Sequence, residues 1–158
     1  MKVFIENEAH SNQKNIYNEK TLKKRKTVTI SREYPYPYGF IIGTTGEDGD
    51  NIDCFVITEN HLHSGQIVEC NIVGIMEQIE KSRDDRSLEK DEMDHNILAT
   101  LDDDPIVTIT PEIQNTLSEF VLHAFDHIRI NKVKVGRFLD QWTAEQYISA
   151  HADTPYKN

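Results

Sequence analysis

Three aspartates lie within six positions in the segment EDGDNID, and their carboxylates are well placed to do chemistry. Asp48 and Asp50 fall in a glycine-containing turn, whereas Asp53 opens the apolar run CFVI. A carboxylate at the start of a buried strand carries a desolvation cost unless a cation or hydrogen bonds offset it. Because Mg²⁺ prefers oxygen ligands, this pattern favours a divalent-cation site over a merely hydrophilic turn.

A calcium-binding EF-hand loop is an alternative, since Glu59 stands twelfth when counted from Asp48. That loop needs glycine at its sixth position, where this chain has Asp53, and its fifth position is the apolar Ile52. The residues that follow have the pattern of a strand rather than a helix. The sequence therefore excludes an EF-hand.

The segment YPYPYGFIIGT, residues 34–44, lies just before the aspartates and by itself is compatible with a rigid aromatic edge of the core. Together the two segments resemble the family I soluble inorganic pyrophosphatases, in which Tyr-Pro-x-x-Tyr-Gly-Phe-Ile leads into Asp-Gly-Asp-x-x-Asp. Asn51 replaces a family proline, and Pro37 replaces a family asparagine. Weaker similarity continues at Val3–Glu6, through IVECNIVGIM and DHNILA, and into FVLHAFDHIRINKVKV. The residues that carry the specific match are Tyr34, Pro35, Tyr38, Gly39, Phe40, Ile41, Asp48, Gly49, Asp50 and Asp53.

This resemblance implies hydrolysis of pyrophosphate to two phosphates with Mg²⁺, for which Mn²⁺ is an expected substitute. It assigns Asp50 as acceptor of the proton of the attacking water, and Tyr38 as a hydrogen-bonding group in the site. The resemblance also implies five metal-contacting residues, with Asp91 and Glu92 as alternatives to the last of them: Asp48, Asp53, Asp94, Glu6 and Glu89.

The phosphate-binding cations are fewer than the family pattern requires. The candidates are Lys26, which replaces a family arginine, Arg25 beside it, and Lys14. Losing bidentate arginine or direct lysine contacts weakens transition-state stabilisation. Family cations or their partners are replaced by Asn96, Ala124, Phe125 and Asn18.

Three functions follow from this mixed pattern. The first is a divergent pyrophosphatase that uses substitute cations, either Lys23, Lys24, Arg25 and Lys26 or Arg83 and Arg86. The second is hydrolysis of another, less charged phosphoanhydride or phosphoester. The third is a non-catalytic relative that binds metal or a partner.

The overall composition is that of a globular domain, with 158 residues, 37% hydrophobic residues and a formal net charge of −10. The negative charge disfavours nucleic acid as a partner. The absence of a long apolar run predicts no membrane segment or signal peptide, and cytoplasm is the expected location. Cys54 and Cys70 are expected to be core thiols rather than a disulfide. By resemblance we expect a homo-oligomer, with the hexamer of the bacterial members as the expected form.

The element pattern predicts one α+β domain over residues 1–158, and the resemblance specifies a five-stranded antiparallel OB-like barrel flanked by helices. Thr110 and Pro111 predict the start of a helix that continues to Ala124, and Thr143 with Gln146 predicts a second start. Strands are predicted at Thr27–Ile30, Cys54–Thr58, Ile67–Ile75, Ile97–Leu101, Ile106–Ile109 and Lys132–Val135.

Several features outside the motif have ordinary explanations. The polar segment 77–94 is expected to be a surface loop or solvated helix, with a lid over the site as the functional alternative. His61 and His63 read as surface residues rather than a metal pair, as do His123 and His127 on the late helix. Trp142 is expected to close the core near the last helix.

Overall fold

Nine strands and two helices occur in residues 1–82, 90–128 and 132–154, which are the residues that the computed structural model describes. The strands are β1 Lys2–Asn7, β2 Gln13–Tyr17, β3 Lys24–Thr29, β4 Tyr38–Ile41, β5 Asp53–Val56, β6 Ile67–Ser82, β7 Lys90–Met93, β8 Asn96–Leu101 and β9 Lys132–Leu139. The helices are α1 Pro111–His123 and α2 Gln141–Ala150.

Five of the strands close into a ring in the order β1, β4, β5, β8, β6 and back to β1. Four of these pairings are antiparallel, and the pairing of β5 with β8 is parallel. The parallel register sets Asp53 opposite Asn96. The expected five-stranded barrel is therefore confirmed, with one parallel pairing where a wholly antiparallel ring was expected.

Alternate residues of the ring strands pack into two separate cores. Along β5, Cys54 and Val56 pack with α2 residues such as Ala144, whereas Phe55 packs with Leu117 of α1. A strand that is covered on both faces needs no polar alternation. This explains why the run CFVI is continuously apolar.

The first helix begins where its sequence predicts. The side-chain oxygen of Thr110 accepts a hydrogen bond from the backbone N–H of Ile113 at 3.3 Å, and Pro111 occupies the first helical position. Proline is tolerated there because a backbone N–H at the first helical position would have no partner within the helix. The start of α1 is confirmed, and the helix ends at His123.

Part of the polar segment 77–94 is strand, so the prediction of a loop or solvated helix is wrong there. The chain continues β6 to Ser82 and returns as β7, with Ile79 opposite Met93. The same part of β6 also pairs with β9 on its other edge. Backbone pairing on two sides outweighs the low strand propensity of charged side chains.

Three further predictions near the C-terminal half are corrected. Residues Ile106–Ile109 form no strand; Val107 and Ile109 pack against the α1 core without joining a sheet. The second helix begins at Gln141 rather than Thr143, because Asp140 is its N-cap and accepts hydrogen bonds from the N–H and hydroxyl of Thr143. Trp142 is 66% exposed and does not close the core.

The two thiols are buried and unpaired, which confirms the prediction for Cys54 and Cys70. Burial is the main cause that raises the pKa of both, to about 12 for Cys70. Among the described residues, neither helix has the length and apolar character that a bilayer span requires.

We predict that Gly39→Ala destabilises the barrel by about 3 kcal/mol or more, because overpacked sites cannot relax without moving backbone. A Cβ at residue 39 would lie 1.7 Å from the carbonyl oxygen of Phe4 on the neighbouring strand β1. Urea unfolding measures the free-energy change. The matched control is Gly43→Asn, because Gly43 has φ of 82° and open space around a Cβ, and Asn tolerates that conformation. Equal stability of the two variants would contradict the prediction.

Candidate active site

A cavity of about 680 Å³ opens on the α1 side of the barrel. Ring strands supply Glu6 from β1, Tyr38 from β4, Asp53 from β5 and Gln78 from β6. The barrel therefore aims polar side chains from four strands into one space.

The aspartate turn is fixed by its own backbone. The Asp48 carboxylate accepts a hydrogen bond from the N–H of Asp50 at 3.0 Å, and the N–H of Gly46 donates to the carbonyl of Asp50 at 2.7 Å. Gly49 has φ of 89°, a conformation that favours glycine. At the end of the turn, the N–H of Ile52 donates to the Thr44 hydroxyl at 3.0 Å. These bonds hold Asp48 and Asp50 at the cavity wall.

Asp53 and Asp94 form a hydrogen-bonded carboxyl pair at the centre of the site. Burial raises the pKa of Asp53 well above its usual range, and the charge of Asp94 and the hydrogen bond to it raise it further. Burial also raises the pKa of Asp94, to about 6. Two buried carboxyls this close cannot both be ionised at low cost, so a proton or a cation must lie between them.

Two glutamates extend the negative charge toward the β2–β3 hairpin. Burial raises the pKa of Glu6 to about 7, which Lys14 partly opposes. The pKa of Glu19 rises to about 8 through burial and through the charges of Asp50 and Glu6, and its side chain hydrogen-bonds Asp50. The carboxylates of the turn and of the hairpin therefore repel one another across the cavity.

Within the described part of the chain, Lys14 is one of three basic side chains that line the cavity with these acids. It lies opposite Val28 on the β2–β3 ladder, and its Nζ is 5.8 Å from the ring centre of Tyr38 and 5.6 Å from that of Phe125. Its charge lowers the pKa of Glu6, Asp53 and Asp94. A single ammonium group thus acts on carboxyls from three elements.

Tyr38 is held by aromatic packing on both sides. Its ring centre is 5.4 Å from that of Tyr34 and 4.8 Å from that of Phe55. Burial first, and then the charges of Asp53 and Asp94, raise the pKa of Tyr38 well above its usual range. The hydroxyl keeps its proton and can donate a hydrogen bond into the cavity.

The deep wall of the cavity is neutral where a family cation is expected. Asn96 is buried, and its Nδ2 donates to Oε1 of Gln78 at 2.6 Å. The backbone of Gln78 in turn accepts from the N–H of Asp94 at 3.0 Å. The amide pair fixes the segment that carries Asp94.

Comparison with known proteins identifies the family to which the chain belongs. The family model for inorganic pyrophosphatase matches residues 3–154. The chain belongs to the inorganic pyrophosphatase family. It is 30% identical over 167 residues to the inorganic pyrophosphatase of Nanoarchaeum equitans, and the alignment covers 98% of this chain and 96% of the relative. It is 28% identical over 142 residues to the inorganic pyrophosphatase of Sulfolobus acidocaldarius, and that alignment covers 87% of this chain and 77% of the relative.

Solved pyrophosphatase structures share the fold. The structure from Thermus thermophilus superposes with a TM-score of 0.81 at 21% identity, over 96% of this chain and 88% of that one. The structure from Helicobacter pylori gives a TM-score of 0.81 at 23% identity, over 96% and 90% of the two chains. At these identities the likeness shows the fold.

Most of the residues predicted for the pyrophosphatase site line the cavity, and two do not belong to its described wall. Lys26 lies opposite Ile16 on β3, outside the cavity lining. Glu89 lies outside the described residues, as do Arg83 and Arg86 of the proposed lid; Asp91 and Glu92 fall in β7. The predicted residues that line the cavity are Glu6, Lys14, Arg25, Tyr38, Asp48, Asp50, Asp53 and Asp94.

Glu19 and Glu80 also line the cavity, although the sequence predicted neither as a site residue. The resemblance sets Asn18 at the position of a family glutamate, but the Asn18 carboxamide oxygen caps the hairpin by accepting hydrogen bonds from the N–H groups of Lys20 and Thr21. A register shift after Ile16 moves the chain by a residue and brings Glu19 beside Asp50. A bulge of this kind has no clear signal in a single sequence.

We predict that, without a cation, the stability of the chain falls as pH rises. The folded-state pKa values of Asp94, Glu6 and Glu19 are about 6, 7 and 8, against ordinary values of 3.8, 4.5 and 4.5. A pKa raised by folding contributes stability below the unfolded value, and this is lost as pH rises through the folded value. Melting temperatures in EDTA should therefore fall between about pH 5 and about pH 8.5.

Added Mg²⁺ should flatten this slope, because a bound cation offsets the ionised carboxylates. Glu19→Gln should also reduce it, whereas Glu33→Gln, which removes an exposed charge, should leave it unchanged. A melting temperature that rises with pH in EDTA would contradict the prediction.

Proposed function

We propose that this chain is an inorganic diphosphatase that hydrolyses pyrophosphate to two phosphates with bound Mg²⁺, for which Mn²⁺ can substitute. The observation that carries the proposal is the hydrogen-bonded pair of Asp53 and Asp94 inside an acidic cavity. Membership of the pyrophosphatase family supports the substrate and the use of divalent metal.

The donor set of the cavity suits hard cations. Among the described residues that line it, seven carboxyl groups accompany three basic side chains, and no histidine is present. Asp48, Asp53 and Asp94 would hold the cations, with Glu6 farther out; Glu89 stays a prediction for this role. Bound Mg²⁺ would neutralise part of the charge on pyrophosphate and make a nearby water more acidic.

The chain's own residues then have distinct tasks. The Asp50 carboxylate accepts a proton as the oxygen of water bonds to one phosphorus and the bridging P–O bond breaks, releasing two phosphates. The Lys14 ammonium and the Tyr38 hydroxyl bind phosphate oxygens. Arg25 and Lys20 also line the cavity and add positive charge there. Glu19 orients Asp50 through the hydrogen bond between their side chains.

We predict that Asp50→Asn lowers the rate of phosphate release from Mg²⁺-pyrophosphate by about 10²–10⁴-fold, because an amide cannot accept the proton. A phosphate assay under saturating substrate measures the effect. Asp103→Asn is the matched control, since Asp103 is exposed in the turn after β8 and lies outside the cavity. An Asp50→Asn enzyme with the wild-type rate would contradict the assignment.

The neutral wall favours a second candidate, a substrate with less negative charge than pyrophosphate. Asn96 and Phe125 stand at positions where the resemblance implies lysine, which removes positive charge near the bound phosphates. The same assay with tripolyphosphate, nucleoside triphosphates and phosphomonoesters ranks the substrates by kcat/KM. If wild type and Asp50→Asn are equally inert on every compound, the non-catalytic alternative is supported instead.

Calorimetry tests the cation proposal independently of turnover. Mg²⁺ or Mn²⁺ should release or absorb heat on binding to wild type, and Asp53→Ala should weaken that binding by at least about 10-fold, because it removes a central ligand. Glu33→Ala serves as the exposed control. Unchanged affinity in Asp53→Ala would place the cation elsewhere.

We propose that the chain forms a homo-oligomer, with a hexamer as the expected form. We also propose that the protein is located in the cytoplasm. Two large apolar side chains, Ile106 and Trp142, are 74% and 66% exposed and suit a subunit interface. Multi-angle light scattering of the purified chain gives the mass, and a monomer at micromolar concentration would overturn the proposal.

A further inference from the structure

A second group of potential metal ligands lies outside the acidic cavity. Glu8 follows β1, and His61 and His63 lie in the loop between β5 and β6. One ligand atom from each of the three side chains lies within 4.8 Å of the others. None of the three residues lines the cavity. The cluster is therefore a separate feature on the surface of the barrel.

The His61 side chain contacts both of the others. Nε2 of His61 is 3.2 Å from Oε1 of Glu8, and the rings of His61 and His63 meet edge to face with centres 4.5 Å apart. Ligand atoms around tetrahedral Zn²⁺ are about 3.4 Å apart, given metal–ligand distances near 2.0–2.1 Å. Because the three ligand atoms lie within 4.8 Å of one another, binding would require them to approach by at most about 1.4 Å.

The backbone beneath these ligands is fixed by hydrogen bonds to β1. The N–H of Ser64 donates to Oε2 of Glu8 at 3.3 Å, and its hydroxyl donates to the carbonyl of Glu6 at 2.8 Å. The N–H of Gly65 donates to the carbonyl of Ile5 at 2.7 Å. Since the loop is tied to β1, which Glu8 directly follows, and to the Glu8 side chain itself, the backbone positions of the ligands are fixed.

Leu62 determines where the two histidines point. It is 6% exposed and packs in the core beneath α2, whereas both flanking histidines are exposed. The Leu62 side chain anchors the loop in the core, while the residues on either side of it keep their side chains at the surface. The buried leucine thus presents both imidazoles on the side where Glu8 lies.

We propose that Glu8, His61 and His63 form a surface site for a borderline divalent cation of the Zn²⁺ or Co²⁺ type. Two imidazoles and a carboxylate select such cations, whereas the all-oxygen donors of the cavity suit Mg²⁺. Three protein ligands leave at least one coordination position for water. The site requires nothing of the proposed pyrophosphate hydrolysis.

Cobalt absorption tests the site without an activity readout. Co²⁺ is titrated into the full chain with excess Mg²⁺ present to occupy the cavity. Four- or five-coordinate Co²⁺ with imidazole ligands absorbs visible light much more strongly than six-coordinate Co²⁺ with oxygen ligands. We expect an intense, saturable band, and competition by Zn²⁺ that removes it.

Matched variants identify the residues that bind the Co²⁺ responsible for the absorption band. His61→Ala and His63→Ala should each weaken Co²⁺ binding by about 10-fold or more, and Glu8→Gln should weaken it less severely. His123→Ala is the control, because His123 is also an exposed histidine near carboxylates, 3.0 Å from Asp126. Asp53→Asn should keep the band, since its carboxyl belongs to the cavity.

Three results would overturn the proposal. They are the absence of a saturable intense band in wild type, a band that survives both histidine variants with unchanged affinity, and a band that Asp53→Asn abolishes. Thermal melts of the variants in EDTA confirm folding. Because no outcome depends on phosphate release, failure of this site and failure of the hydrolysis proposal are distinguishable.

Discussion

The parallel pairing of β5 with β8 is the constraint on which the site depends. It sets Asp53 at the first position of one buried strand and brings Asp94, two residues before the start of the other, within hydrogen-bonding reach. Two carboxyls in that position repel each other unless a proton or a cation joins them. The barrel therefore bears an electrostatic cost at the cavity, and packing on both faces of the same strands offsets it.

The hairpin β2–β3 stands apart from the ring as its own two-stranded sheet, yet it supplies the positive charge that the carboxylates face. Lys14 extends from it over the rings of Tyr38 and Phe125, and Glu19 extends from the same hairpin to Asp50. Asn15 ties this sheet to β1 by donating to the carbonyl of Glu6 at 3.0 Å. The opposing charges thus come from two sheets, and the hydrogen bonds that Asn15 and Tyr17 form with Asn7, Glu6 and Ser64 help to set the spacing between them.

Elements with strong local signals were predictable from the sequence. The cap at Thr110, the apolar strands of the ring and the unpaired thiols follow from side-chain chemistry over a few residues. The position of the aspartate turn beside Tyr38 was expected from a motif, whereas its internal hydrogen bonds became visible only in the structure.

What the sequence did not reveal depends on long-range pairing. The charged end of β6 is a strand because β7 and β9 flank it, and no local preference predicts that. Glu19 reaches the site through a bulge, and Glu8 joins the two histidines across more than fifty positions of sequence. Trp142 was expected inside because it is large and apolar, but Asp140 starts the helix early and turns that position outward.

The burial of the two thiols lowers their reactivity toward soft metals and oxidants. Only the thiolate reacts readily, and the raised pKa values of Cys54 and Cys70 keep both sulfurs protonated at neutral pH. The protein should therefore resist alkylation and peroxide without added reductant. The two sulfurs are unsuited to bind a soft metal while the barrel stays closed, since metals bind the thiolate.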